Sequence, residues 1–152
     1  MSVIGVRCSP RDFAYCILEG TKNEPRLIHY AEIQFPQSYS WPYNLRWLMQ
    51  EVEDILNKYS VDSIAIKSSE GIASRGKSFV ERIEYETVFL LVSASRGLRP
   101  ITKKVKSTIA KDFGMKGKAR YLSTIDTSKI QEFSNFSDKL KEAVLVGWSE
   151  LK

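Results

Sequence analysis

Ser63-Ile64-Ala65-Ile66-Lys67 is a short apolar run that ends on a cation. The polar stretch after it, Ser68-Ser69-Glu70-Gly71-Ile72-Ala73-Ser74-Arg75-Gly76-Lys77, leads into a long helical pattern. An apolar run of this length bounded by turn formers reads as a buried strand, so residues 61–77 spell strand, loop, helix. In open α/β sheets ligands bind beyond the carboxyl ends of parallel strands, which makes the end of this strand a candidate site. The residue standing there, Lys67, is positively charged.

Upstream, Val3-Ile4-Gly5-Val6 is a second near-continuous apolar run, as expected for a strand covered on both faces, and it ends at Arg7. Ser9-Pro10-Arg11-Asp12 turns the chain into a strand over 13–18, and the turn formers Gly20-Thr21-Lys22-Asn23-Glu24-Pro25 follow. Residues 27–35 alternate Leu27, His29, Ala31, Ile33 and Phe35 with Ile28, Tyr30, Glu32 and Gln34, which predicts a third strand and an antiparallel meander. Residues 36–42 connect, with Pro42 at a first helical position. Leu45, Leu48, Met49, Val52, Ile55, Leu56 and Tyr59 then recur every three or four residues and predict an amphipathic helix.

Downstream, Ser78-x-x-Glu81 reads as a capping box opening a helix that Gly97 closes. Its apolar positions, including Phe79, Ile83, Tyr85, Phe89 and Leu91, cover more than one face and predict extensive burial. Residues 98–102 suit a fifth short strand, and the basic pattern over 103–113 a short helix closed by Gly114. Residues 115–136 show weak pattern, with one helical turn around 128–133. A last helix from Ser137 toward Leu151 is expected to bury Leu140, Val144, Gly147 and Trp148. The order β-β-β-α-β-α-β-α-loop-α implies a mixed five-stranded sheet with helices on both faces, in one domain spanning 1–152.

At 43% apolar residues the chain can bury a real core. Its apolar runs fall short of the roughly 18 residues that span a bilayer, and no signal-peptide order opens it, so a cytoplasmic location is expected. Cys8 and Cys16 lie in strand-like runs without CxxC spacing, and are expected as buried, reduced thiols, Cys8 near the site by position. The net charge is +5. Between 99 and 120 stand Arg99, Lys103, Lys104, Lys106, Lys111, Lys116, Lys118 and Arg120 against the single acid Asp112. That segment is either a phosphate-facing surface or a solvated helix face.

Other motifs carry little. Arg75-Gly76-Lys77-Ser78 lacks the glycine spacing of a P-loop, and lone His29 reads as a strand-face residue. Tyr39, Trp41, Tyr43 and Trp47 cluster near the first helix, where packing over the sheet edge is the expectation and base stacking the alternative.

The element order, the Ile4-Gly5-Val6 strand, the Ser63-Ile64-Ala65-Ile66 strand and the C-terminal helix together resemble the ribonuclease H-like fold, with the RuvC-type resolvases as the nearest branch. The segments Arg99-Pro100-Ile101 and Lys104-Val105-Lys106-Ser107-Thr108-Ile109 are similar to the strand and basic helix that follow the long helix there. Ile64-Ala65-Ile66-Lys67 and Gly76-Lys77-Ser78-Phe79 also resemble a group of small uncharacterised bacterial proteins with a Val-Val-Ile-Lys strand end and a Gly-Lys-x-Phe segment.

The resemblance implies a two-Mg²⁺ nuclease centre held by acids at the ends of the first and fourth strands and on the last helix. The first-strand acid falls at Arg7 and the fourth-strand acid at Lys67; Asp138 and Glu142 remain on one face of the last helix. Two cations for two anions shift the local charge by about four units, and a divalent ion there would be repelled. The expectation is a catalytically inactive domain without a family-type metal site or cofactor. Arg7 and Lys67 should lie side by side, either locked in ion pairs with Asp138, Glu142, Glu70 or Glu86, or forming an anion pocket completed by Arg75 and Lys77. Nucleic acid or another phosphate-bearing ligand is the expected partner, through that pocket and Lys103, Lys104 and Lys106. The alternatives are a nuclease with relocated acidic ligands using Mg²⁺, and a protein-interaction module.

Overall fold

The computed structural model describes residues 1–70 and 76–152. Three antiparallel strands, β1 (Ser2–Cys8), β2 (Asp12–Gly20) and β3 (Pro25–Gln34), are followed by α1 (Trp41–Lys58), β4 (Ser63–Lys67), α2 (Lys77–Ser95), β5 (Ile101–Lys104), α3 (Lys106–Asp112) and α4 (Asp138–Glu150). The sheet order is β3-β2-β1-β4-β5, with β4 parallel to β1 and β5 parallel to β4. This is the mixed five-stranded α/β sheet expected from the sequence.

Side chains alternate across the sheet with a period of two, and each face has its own core. Ile4, Val6, Phe13, Ile17, Ile64 and Ile66 meet Leu48, Val52 and Ile55 of α1 and Tyr85, Phe89 and Val92 of α2. On the other face Val3, Ala14, Cys16 and Leu18 pack under Leu140, Ala143, Val144 and Trp148 of α4. Gly5 lets α4 press onto β1: a Cβ there would collide with the Ala143 carbonyl oxygen and lie 2.9 Å from the Gly147 Cα.

Four sequence expectations need correction. The fifth strand runs Ile101–Lys104, so Lys103 and Lys104 belong to it and α3 begins only at Lys106. Pairing with β4 decides this, since Ile66 registers with Lys103 and Lys67 with Lys104. The capping box is not formed: α2 starts two residues earlier, with Gly76 at the cap and no side-chain cap bond. Nor is α2 buried all round, because Val80, Ile83 and Leu91 are exposed while Arg82 and Glu86 lie inside. Tyr39, Trp41 and Tyr43 project into solvent; only Trp47 packs, edge-on against Phe35. The 115–136 stretch holds three short 3-10 turns, Ala119–Thr124, Thr127–Lys129 and Phe133–Asn135. The Ser137 hydroxyl caps α4 by accepting from the Leu140 N–H.

Candidate functional site

Val6 on β1 registers with Ile66 on β4, so the next residues, Arg7 and Lys67, stand side by side at the carboxyl ends of two parallel strands. Gly5 touches α4, and Ala65 packs with Ile109 of α3 and Val146 of α4. The two-residue period therefore turns both cations toward α4.

Each cation has company. Arg7 donates from Nε to Glu142 Oε2 on α4 at 2.9 Å and from Nη1 to the Cys8 carbonyl. Lys67 is 1% exposed; its ammonium donates to the Ser68 carbonyl and sits 2.8 Å from Glu70 Oε1. Burial pulls the Lys67 pKa below its ordinary value, and Glu70 and Glu142 resist that pull. Glu70 also accepts the Lys106 backbone N–H at 2.7 Å, tying the end of β4 to the start of α3. Burial alone would raise the Glu70 carboxyl; the hydrogen bonds from Lys67 and Lys106 outweigh it and hold the group low.

A third cation closes the strand ends from the opposite helix. Arg82 of α2, 8% exposed, donates from Nη2 to the Lys67 carbonyl at 2.7 Å and from Nε to Glu86 at 3.2 Å. Glu86, 1% exposed, receives Lys103 at 2.6 Å on its other oxygen. Arg82 was not singled out in the sequence, although its spacing of four from the apolar-faced Glu86 is the signal for such a pair. Cys8 is buried beside these groups; burial first, and then the Glu86 charge, push its thiol well above the ordinary range. Burial likewise pushes Cys16 up to about 12, so neither thiol is poised as a nucleophile.

Beside this cluster lies an open cleft of about 550 Å³ between the β1–β2 turn and the start of α2. Arg7, Arg11, Arg82 and Lys139 line it together with Ser69 and Ser78. Lys139 is held by both Asp12 carboxylate oxygens, at 2.7 and 2.9 Å. Burial would raise Asp12, but the Lys139 and Ser9 hydrogen bonds depress it.

No protein-family model matches the chain, and no curated protein matches it by sequence. Solved structures do match. Thermus thermophilus RuvC superposes with a TM-score of 0.79 at 12% identity, over 98% of this chain and 92% of that one. The same enzyme in complex with a Holliday junction substrate gives 0.77 at 11% identity, over 98% and 91%. The yeast mitochondrial Holliday junction resolvase gives 0.66 at 13% identity, over 97% and 76%. The fold is that of the RuvC-type resolvases.

Within this RuvC-type frame the expected site residues separate into groups. Arg7 pairs with Glu142 and Lys67 with Glu70, while Glu86 pairs with neither of those two cations and takes Arg82 and Lys103 instead. Asp138 stays out, exposed at the first turn of α4. Lys67 spends its ammonium internally and does not line the cleft. Lys77 does not either: it pairs with Glu81 at 3.7 Å beside Trp41 and Val80. The pocket expected from Arg7, Lys67 and Lys77 is thus replaced by one from Arg7, Arg11, Arg82 and Lys139. Arg75 lies outside the described residues. Lys104 is buried against Glu150 at 2.6 Å and Asp112 at 2.7 Å, and Lys103 is taken by Glu86. Lys106, at 3.9 Å from Glu142, and the exposed Lys111, Lys116, Lys118 and Arg120 keep the basic surface.

The donor set does not fit a two-Mg²⁺ centre. Glu142 faces Arg7 and Lys106, and Glu70 faces Lys67, so each carboxylate is already neutralised. Among the described residues no three Asp, Glu, His or Cys side chains converge on one point. No described helix is long and apolar enough to cross a membrane.

Proposed function

We propose that this chain is a nucleic-acid-binding domain of the RuvC-type fold in which ion pairs have replaced the metal centre, so that it binds without cleaving. The Arg7–Glu142 pair at the carboxyl end of β1 carries this reading. A guanidinium occupies the carboxylate that a metal would need, at the place where this fold resembles a nuclease centre. Support for a nucleic-acid partner comes from the basic surface formed by Lys106, Lys111, Lys116, Lys118 and Arg120, and from the likeness to a RuvC bound to a Holliday junction substrate.

Filter binding with a four-way junction, a duplex and a single strand tests it. Affinity should fall steeply as salt rises from 50 to 200 mM, by about a thousandfold if six phosphates are contacted. No cleavage should accompany it in Mg²⁺ or Mn²⁺. Absence of binding at low salt contradicts the reading; metal-dependent cleavage lost in Glu142→Gln favours the relocated-ligand nuclease instead.

A further inference from the structure

Arg7 and Arg82 reach the cleft from opposite faces of the sheet, and each is fixed before any ligand arrives. Arg7 uses Nε on Glu142 and Nη1 on the Cys8 carbonyl; Arg82 uses Nε on Glu86 and Nη2 on the Lys67 carbonyl. Among the described residues, Nη2 of Arg7 and Nη1 of Arg82 have no hydrogen-bond partner. The guanidiniums are also close enough to repel: after burial, the Arg7 charge is the next cause holding the Arg82 pKa below its ordinary value. An anion between them would relieve that repulsion and use donors already oriented, which removes most of the ordering cost of binding.

The balance of charge around the cleft sets the kind of anion. Four cations, Arg7, Arg11, Arg82 and Lys139, line the cleft; of the acids that pair with them, Asp12 takes Lys139, while Glu86 and Glu142 are shared between Arg82 and Lys103 and between Arg7 and Lys106. Arg11, exposed at the tip of the β1–β2 turn, has no acid within ion-pair distance among the described residues. Ser69 and Ser78 add hydroxyls on the cleft wall. A surplus of positive charge on forked donors suits a dianion better than the single charge of a backbone phosphodiester.

We infer that the cleft between Arg7, Arg11 and Arg82 is a binding site for a phosphate monoester. This deepens the nucleic-acid reading, on which it rests for the source of the ligand: a strand carrying a terminal phosphate would anchor there while its backbone follows the basic surface.

Fluorescence anisotropy with a 5′-phosphorylated single strand and its 5′-hydroxyl twin, and calorimetry with inorganic phosphate, test the inference. The phosphorylated strand should bind about tenfold more tightly, and inorganic phosphate should compete that preference away. Arg11→Gln, at an exposed position that packing does not need, should remove most of the preference. Arg26→Gln, an equal charge change on β3, should leave it. Equal affinity for the twins, or a preference unchanged in Arg11→Gln, overturns the inference and leaves the nucleic-acid reading standing. Inorganic phosphate binding that is lost in Arg11→Gln, with neither strand bound, supports the cleft and overturns the nucleic-acid reading alone. Binding of neither phosphate nor strand overturns both.

Discussion

Glu86 decides how the end of the sheet is held. It is buried among the side chains of α2, and its two oxygens neutralise Arg82 and Lys103 from two different elements. Breaking a buried pair by removing one partner leaves an uncompensated charge, which outweighs anything the pair itself contributes. Glu86→Gln should therefore destabilise by about 3 kcal/mol, seen as a thermal midpoint roughly 10 °C lower. An unchanged midpoint would mean that water already solvates Arg82. The carboxylates Asp12 and Glu70 add a pH dependence. Both are depressed in the folded state, so their contribution is complete above the ordinary carboxylate range and is lost as pH falls through their folded values. Thermal midpoints between pH 7 and pH 3 should fall less in Asp12→Asn or Glu70→Gln than in the unaltered chain. At this scale the sequence was informative about charge and silent about commitment. It placed Lys67 at a strand end, but its ammonium turns inward to Glu70 and the Ser68 carbonyl, which only the closed fold decides.

The seam between β1 and α4 is the contact that the site depends on, since it sets Glu142 against Arg7. Gly5→Ala would push a methyl group into the Ala143 carbonyl and the Gly147 backbone, and no flexible side chain is there to yield. A loss of about 3 kcal/mol in a denaturant titration is expected, at the upper end of overpacking costs. Gly97 is the comparison: at φ +72 with nothing near its Cβ, Gly97→Ala should cost only the left-handed backbone strain, about 1 kcal/mol. Equal losses would show that α4 can lift without penalty. Elements with clean periodicity were legible. The Ser63–Lys67 strand, the α1 stripe and the start of α4 near Ser137 all follow from spacing. The boundary between β5 and α3 was not, because Lys103 and Lys104 look like a helix face until pairing with Ile66 and Lys67 sends them to opposite sides. The interior face of α2 was misread for a related reason: Arg82 and Glu86 neutralise each other, and the pair packs where apolar residues were expected.

Across the whole molecule, the five-stranded sheet divides the chain into two cores, and the carboxyl ends of β1 and β4 emerge between them where α2 and α4 can both reach. That arrangement gives a RuvC-type fold a site whose polarity is set by two residues, Arg7 and Lys67. With acids there the strand ends would gather metal ions; with cations they bind carboxylates within the chain, and in the proposed function the guanidinium donors left over serve an anion outside it. The most direct test is an anomalous-scattering map from crystals soaked with Mn²⁺ and, separately, with tungstate as a phosphate analogue. A tungstate peak between Arg7 and Arg82, with no Mn²⁺ peak at Glu142, is the predicted result; Mn²⁺ bound to Glu142 with the Arg7 guanidinium displaced would contradict it.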